Sequence, residues 1–215
     1  MRILVVSGAT REYIDGVRFI TNFSTGATGA VLARHFSRGH EVLLLRGEAA
    51  RPAKGVREII FSDFTDLGAK LKKLLRRRFG MVVMCAAVSD YSVAAIRLGG
   101  RRLLPAQRGK LPSGSGLEIK LKPNFKLLDK MPEWSAGKPL IAGFKLTDDA
   151  SPASREAAAR KVSSRITVQN DMRDIRAGIR RFNVYENGVL AATCAGAQSL
   201  ARKLQKLGEK HAARP

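Results

Sequence analysis

About twenty residues, many of them polar, separate the first buried strand of this chain from its first helix, and that spacing constrains the fold more than any other feature. Ile3 to Val6 is a short apolar run that reads as a covered strand. AVLARHFSRG, with Val31, Leu32 and Phe36 at helical spacing and Gly39 as its stop, reads as a helix. Between them lies SGATREYIDGVRFITNFSTGATG, Ser7 to Gly29. Compact domains usually join strand to helix in a few residues, so an excursion of this length is expected to carry function. Ser24, Thr25, Gly26, Thr28 and Gly29 fall where the helix begins. Hydroxyls, free backbone N–H groups and glycines at the positive end of a helix make an anion site. Their spacing matches neither the dinucleotide nor the P-loop pattern. Arg11, Glu12, Asp15, Arg18 and Asn22 are polar groups that a plain connector does not need.

The alternation continues along the chain. Glu41 to Arg46 and Glu58 to Phe61 read as strands, and Leu67, Leu71, Leu74 and Leu75 mark one face of a helix that starts after Asp63 and ends near Gly80. Met81 to Val88 is a continuous apolar run, as expected of a central strand covered on both faces. This order predicts a parallel sheet with right-handed crossovers, whose ligands bind beyond the carboxyl ends of the strands. Ser7-Gly8 and Ser89-Asp90-Tyr91 fall at two such ends. Ser92 to Gly116 is basic and reads as irregular, followed by a short strand, LEIKLKP. Asn124 to Met131 is expected as a helix, Leu140 to Leu146 as a strand broken at Gly143, Ser151 to Ser163 as a helix and Ile166 to Val168 as a strand. Phe182 to Glu186 and Val189 to Thr193 read as a hairpin turning at Asn187-Gly188, with a last helix from about Ala197. The organisation is a single α/β domain over 1–215, with a flap and strand region over about 92–123 and a basic tail over 202–215.

Thirty-nine Lys and Arg against eighteen Asp and Glu leave a formal charge of +21, which favours phosphate-bearing partners. Part of the excess lies in Lys72-Lys73 and Arg76-Arg77-Arg78, and part in the tail. A nucleic-acid-binding or nucleotide-binding protein without enzymatic activity accommodates that charge, yet no such motif is present and aromatics for stacking are few. A nicotinamide-dependent oxidoreductase is a second reading; it lacks G-x-G-x-x-G, and Arg46 stands where an acidic residue should close the second strand. The two cysteines, Cys85 and Cys194, show no metal spacing and fit a reducing compartment. No apolar run is long enough to span a membrane and the N-terminus has no signal-peptide pattern, so a cytoplasmic location is expected. No nucleophile arrangement of the Cys/His or Ser/His/Asp kind is evident, and no metal ligands can be assigned.

The long loop, GATREYIDGVRFITNFSTGATG, resembles the signature of phosphopantothenoylcysteine synthetases, approximately GGTREPIDxVRxIxNxSSGxxG. Ala9, Tyr13 and Thr25 depart from it, and Ser-Thr-Gly is similar to the stand-alone bacterial members. Ala86 to Tyr91 (AAVSDY) resembles the family's A-A-V-A/S-D-Y, GKLPSG its G-K-I-x-S, GFKL its strand at Phe144, and Gln169-Asn170-Asp171 its A-N-D.

The resemblance implies a Rossmann-like three-layer fold with a mostly parallel sheet and a small additional β region for dimerisation. It implies a ligase that joins 4'-phosphopantothenate to L-cysteine through an acyl nucleotidylate, consuming CTP or ATP, with CTP favoured, together with Mg²⁺, in coenzyme A biosynthesis. Asn22 and Lys110 would be catalytic, the latter on a flap. Arg18, Ser24, Thr25 and Gly26 would bind substrate, with the last three holding phosphate. Gly8, Asp90, Lys110, Phe144 and Lys161 would form the nucleotide site. The implied partners are a second copy of the chain and, functionally, a separate phosphopantothenoylcysteine decarboxylase; neither membrane nor nucleic acid is expected.

Overall fold

A computed structural model describes residues 1–114 and 116–213. Ser115 of the expected flap, and Arg214 and Pro215 of the basic tail, lie outside the described residues. In chain order the elements are β1 (Arg2–Ser7), β2 (Arg11–Tyr13), β3 (Phe19–Thr21), α1 (Ala27–Phe36), β4 (Glu41–Gly47), β5 (Arg57–Phe61), α2 (Phe64–Leu75) and β6 (Met81–Met84). There follow β7 (Tyr91–Leu98), β8 (Arg101–Leu103), β9 (Leu117–Pro123), α3 (Leu127–Trp134), β10 (Leu140–Thr147), α4 (Pro152–Arg160), β11 (Ile166–Asp171) and α5 (Met172–Arg176). The chain closes with β12 (Arg181–Glu186), β13 (Val189–Ala195) and α6 (Ala197–Ala212).

The central sheet has eight strands in the order β13-β12-β11-β10-β6-β1-β4-β5. From β11 to β5 all neighbours pair in parallel, while β12 runs antiparallel to β11 and β13 antiparallel to β12. Period-two alternation in β1 divides the core. Ile3 and Val5 face α1 and α6, packing with Leu32, Phe36, Leu200 and Leu204. Leu4 and Val6 face α2 and α3, packing with Leu67, Leu71, Leu127 and Met131. Helices therefore cover both faces of the sheet, giving three layers, and the apolar runs of β1 and β6 are unbroken because neither side of these strands meets water. The strand order reverses between β1, which leads out to β4 and β5, and β6, which leads out to β10 and β11. Crevices at such reversals receive ligands.

Several expectations are corrected. The polar excursion after β1 is not featureless, because β2 and β3 pair as an antiparallel hairpin that satisfies their backbone groups. Arg11 stacks over Phe19 at 4.6 Å and Tyr13 meets the same ring edge-on at 6.0 Å. The apolar run from Met81 leaves the sheet after Met84; beyond it, Ala87 still donates to Gly8 O at 2.7 Å.

The basic stretch from Ser92 opens as strand, β7 and β8, and carries no strand or helix over 104–114; β8, β7 and β9 form a separate three-stranded antiparallel sheet. Gly99 and Gly100 turn it with φ of 53° and 81°. Val93 and Ile96 are buried in a small cluster with Ile14, supported by Leu117 and Ile119; an irregularity between Val93 and Ala95 breaks the alternation of β7 and hid that strand in the sequence. β10 runs straight through Gly143. A Cβ there would stand 2.8 Å from both Leu128 Cδ2 and Ser164 Oγ, so the glycine marks close packing, not a break. The expected hairpin at Asn187-Gly188, both with positive φ, extends the central sheet, and the β7–β9 sheet stands beside it as a small additional β region. α3 starts at Leu127, three residues after the expected start. Among the described residues no helix is long and apolar enough to cross a membrane.

Candidate active site

The N-terminus of α1 opens at the carboxyl end of β1. Its N-cap is Gly26, left-handed at φ 68°, and no side chain caps it. Ser24 Oγ and Thr25 Oγ1 accept only long bonds from Gly26 N and Ala27 N, 3.4 Å each. Unfilled donors on a glycine-led helix start, with no acidic residue in the first turn, favour an incoming anion. Two glycines let the backbone close in: a Cβ on Gly8 would lie 2.5 Å from Ala50 Cβ, and one on Gly26 2.7 Å from the same atom. The loop after β4 is thus seated against both, and Arg51 N–H bonds to Thr25 O at 2.9 Å. That places Arg51, exposed and without an ion pair among the described residues, beside the helix start. Sequence reading missed it because nothing in its neighbourhood suggests a partner.

Asn22 reaches across the crevice and donates from Nδ2 to Val88 O at 3.1 Å. Two residues on, the Asp90 carboxylate is exposed and paired with Lys126, the N-cap residue of α3. A lysine at an N-cap is electrostatically misplaced, which makes its contact with Asp90 informative. The local frame is stiff: Ser89 N–H bonds to Thr10 Oγ1 at 3.0 Å, Asn124 N–H to Asp90 O at 2.8 Å and Asn124 Nδ2 to Ser89 O at 3.1 Å. Ser92 donates to the buried Glu12 at 2.7 Å. Gly8, Asn22, Ser24, Thr25, Gly26 and Asp90 are therefore gathered around one crevice.

Phe144 and Lys161 stand apart from that group. Phe144 is half-buried on β10, opposite Val168, and packs on the core that contains α1. Lys161 is the exposed C-cap of α4, and among the described residues no hydrogen bond or ion pair joins its side chain to Gly8, Asp90 or Phe144. The segment it begins docks by Ser163 on Asp129 in the first turn of α3, the same end of that helix as Lys126.

Arg18 and the flap form a separate latch. Arg18 Nε donates to Asp15 Oδ2 at 2.9 Å and Nη2 to Leu111 O at 2.9 Å, while Leu111 N–H returns to Asp15 Oδ2 at 3.0 Å. The Arg18 guanidinium beside Asp15 holds that carboxyl well below the usual carboxylate range, against the opposing pull of burial. Gly16 N–H adds a 2.7 Å bond to Gly109 O. Lys110, between these anchors, is exposed and makes no ion pair among the described residues.

Two further groups lie under the first turn of α1, where a Cβ on Gly29 would stand 2.2 Å from Ser7 Cβ and 3.1 Å from Cys85 Sγ. Ser7 Oγ is fully buried with no hydrogen-bond partner. Cys85, whose Sγ donates to Val6 O at 3.0 Å, has its pKa pushed up to about 12 by burial, so its thiol is not a nucleophile at neutral pH. At the carboxyl end of β11, Asp171 clamps the loop after β10, accepting from Asp149 N at 3.0 Å, Ala150 N at 3.2 Å and Thr147 Oγ1 at 2.5 Å.

A doubly wound α/β sheet with an uncapped, glycine-led helix start at its switch point defines a Rossmann-like domain. The chain belongs to the DNA/pantothenate metabolism flavoprotein C-terminal domain family, whose profile matches residues 1–212. It is 30% identical over 218 residues to the coenzyme A biosynthesis bifunctional protein CoaBC of Thermococcus kodakarensis, covering 99% of this chain and 49% of that protein. The chain spans half or less of the length of such curated relatives. Its fold superposes on the DNA/pantothenate metabolism flavoprotein of Streptococcus pneumoniae with a TM-score of 0.83 at 25% identity, covering 98% of this chain and 99% of the other. The C-terminal domain of a CoaBC protein superposes with a TM-score of 0.73 at 23% identity, covering 99% and 96%, which shows the shared fold.

Proposed function

We propose that this chain is a phosphopantothenate-cysteine ligase of coenzyme A biosynthesis. The observation that carries the reading is the bond from Asn22 to Val88 O, which ties the open start of α1 and the Asp90 segment to one crevice. Family membership and the bifunctional relatives support it. In the first step the 4'-phosphopantothenate carboxylate attacks the α-phosphate of a nucleoside triphosphate, forming the acyl nucleotidylate and releasing pyrophosphate. The amine of L-cysteine then attacks the acyl carbon and expels the nucleoside monophosphate.

Both steps crowd negative charge, so positioning and electrostatics dominate the catalysis. The α1 start, with Ser24, Thr25 and Gly26, holds phosphate, and Arg51 adds charge beside it. Asn22 orients the reacting acyl group through an amide already fixed by Val88. Lys110 meets the developing charge when the flap closes, and Arg18 sets the position of that flap through Leu111. Gly8 and Asp90 serve the nucleotide at the crevice, and the family resemblance adds Phe144 on β10 and Lys161 at the end of α4, which lie apart from them.

Mg²⁺ accompanies the triphosphate. Among the described residues no three His, Cys, Asp or Glu side chains form a metal cage. That donor set suits an ion held mainly by phosphate oxygens and water with at most one carboxylate such as Asp90, and its chemistry is the shielding of phosphate charge. We read CTP as the nucleotide before ATP, a homodimer as the working form, and a separate decarboxylase as the enzyme that takes the product.

The test is pyrophosphate release by purified protein with Mg²⁺ and either CTP or ATP, with and without 4'-phosphopantothenate and cysteine. Release that requires 4'-phosphopantothenate, with nucleoside monophosphate appearing once cysteine is added, is the expected result. Absence of release with both nucleotides refutes the assignment.

A further inference from the structure

The unpaired positive charge of this chain also gathers at the edge of the sheet opposite the crevice. Arg76, Arg77 and Arg78 follow α2 just before Gly80, whose N–H bonds to Arg2 O at 2.9 Å, the first residue of β1. They therefore lie at the amino ends of the central strands. The segment after α3 arrives at the same place: Ala136 N–H bonds to Leu75 O at 2.8 Å, and a Cβ on Gly137 would stand 4.0 Å from Arg78 Cγ. Lys138 comes next in the chain. Trp134, the one tryptophan of the protein, packs against the α2–α3 core and, with Lys72 and Arg76, lines a shallow depression of about 440 Å³.

Among the described residues none of Lys72, Arg76, Arg77, Arg78 and Lys138 has a side-chain hydrogen bond or ion pair. The carboxylate at the rim, Glu133, is held by Lys130 at 3.1 Å. A cation or two in the last turn offsets the dipole of α2, which accounts for the lysines there. It does not account for Lys138 and Trp134, which a different part of the chain delivers to the same place.

We propose that this edge binds single-stranded nucleic acid, its phosphates on these cations and a base against Trp134. Cations beside an indole are the combination that recognises an unpaired strand without sequence preference, and a concave depression favours a strand over the flat face of a membrane. The sequence alone argued against nucleic acid for want of a motif; the fold assembles the surface from two separated segments. Its distance from the crevice makes the binding independent of the ligase reading.

The experiment uses the full chain and a fluorescein-labelled dodecamer of uridine, read by anisotropy and by Trp134 emission. Neutralising about four phosphates of a single strand gives a slope near −3 for log affinity against log salt, so raising KCl from about 50 to about 200 mM weakens binding about 50-fold. The double variant Arg76→Glu/Arg78→Glu should weaken binding at least about tenfold and flatten the salt slope. The control Arg202→Glu/Lys206→Glu, on an exposed face of α6, should change it less than about twofold, and ligase turnover should be the same in both. Trp134 emission should be quenched on binding. Should the charge reversal unfold the protein by circular dichroism, Arg76→Gln/Arg78→Gln gives the same comparison. Equal loss from the α6 control, saturation without change in Trp134 emission, no binding at about 50 mM KCl, or tighter binding to phosphatidylserine vesicles than to the oligonucleotide would each overturn the proposal.

Discussion

Arg18 and Asp15 form a latch in which the guanidinium bonds the carboxylate through Nε at 2.9 Å and, through Nη2, the carbonyl of Leu111 in the flap. The hairpin of β2 and β3 and the segment that carries Lys110 thus share one anchor. Asp15→Asn removes the charge that Arg18 pairs with and one acceptor for Leu111 N–H. The segment around Arg108 and Lys110 should then be cut by trypsin about tenfold faster, with an unchanged circular dichroism spectrum. An unaltered rate would show that Gly16 and Gly109 hold the flap by themselves.

Asn22→Asp and Lys110→Gln test the proposed chemistry. Each should lower turnover by about 10²- to 10³-fold, because the groups are placed to stabilise charge that develops during reaction. Either variant retaining full turnover would remove that residue from the mechanism.

Backbone proximity around α1 carries a steric prediction. Gly29→Ala would place its Cβ 2.2 Å from Ser7 Cβ, a core overlap that should cost about 1–3 kcal/mol in urea denaturation. Gly26→Ala forces a side chain onto φ 68° and against Ala50, and should weaken nucleotide binding at least about tenfold by calorimetry. Normal affinity in the Gly26 variant would place the phosphates elsewhere.

Burial alone would raise the pKa of Asp171, yet its bonds from Thr147, Arg173 N and Ala150 N hold it down at about 2, below its ordinary 3.8. A depressed carboxyl adds stability that is complete above the unfolded value and lost as pH falls through the folded one. Wild type should therefore exceed Asp171→Asn in stability by a constant amount above about pH 5, with the gap shrinking between about pH 4 and about pH 2. Urea titrations across that range check it; a gap independent of pH would mean that the clamp depends on shape and not on charge.

Thiol chemistry should be silent. Burial raises the pKa of Cys194 as well as Cys85, so neither should react with iodoacetamide at pH 7.5 until urea exposes both. Modification of the native protein that abolished turnover would contradict a mechanism without a cysteine nucleophile.

Much of this was legible in the chain itself. The apolar runs of β1 and β6, the leucine face of α2 and the Asn187-Gly188 turn follow from local periodicity and turn chemistry, which a sequence displays directly. The glycine-led start of α1 was readable for the same reason, since Ser24, Thr25 and Gly26 lie within a few residues of the helix they open. Only tertiary structure decided the pairings between distant segments: Asn22 on Val88, Asp90 on Lys126, Arg18 on Leu111, and Trp134 beside the α2 arginines. It also decided that the basic stretch from Ser92 opens as strand, because β7 and β8 become strands by pairing with each other and with β9, and a bulge between Val93 and Ala95 interrupts the alternation of β7; β9 itself was legible as LEIKLKP. Local propensity is written residue by residue, whereas charge partners and strand partners are chosen by the packing of the whole chain.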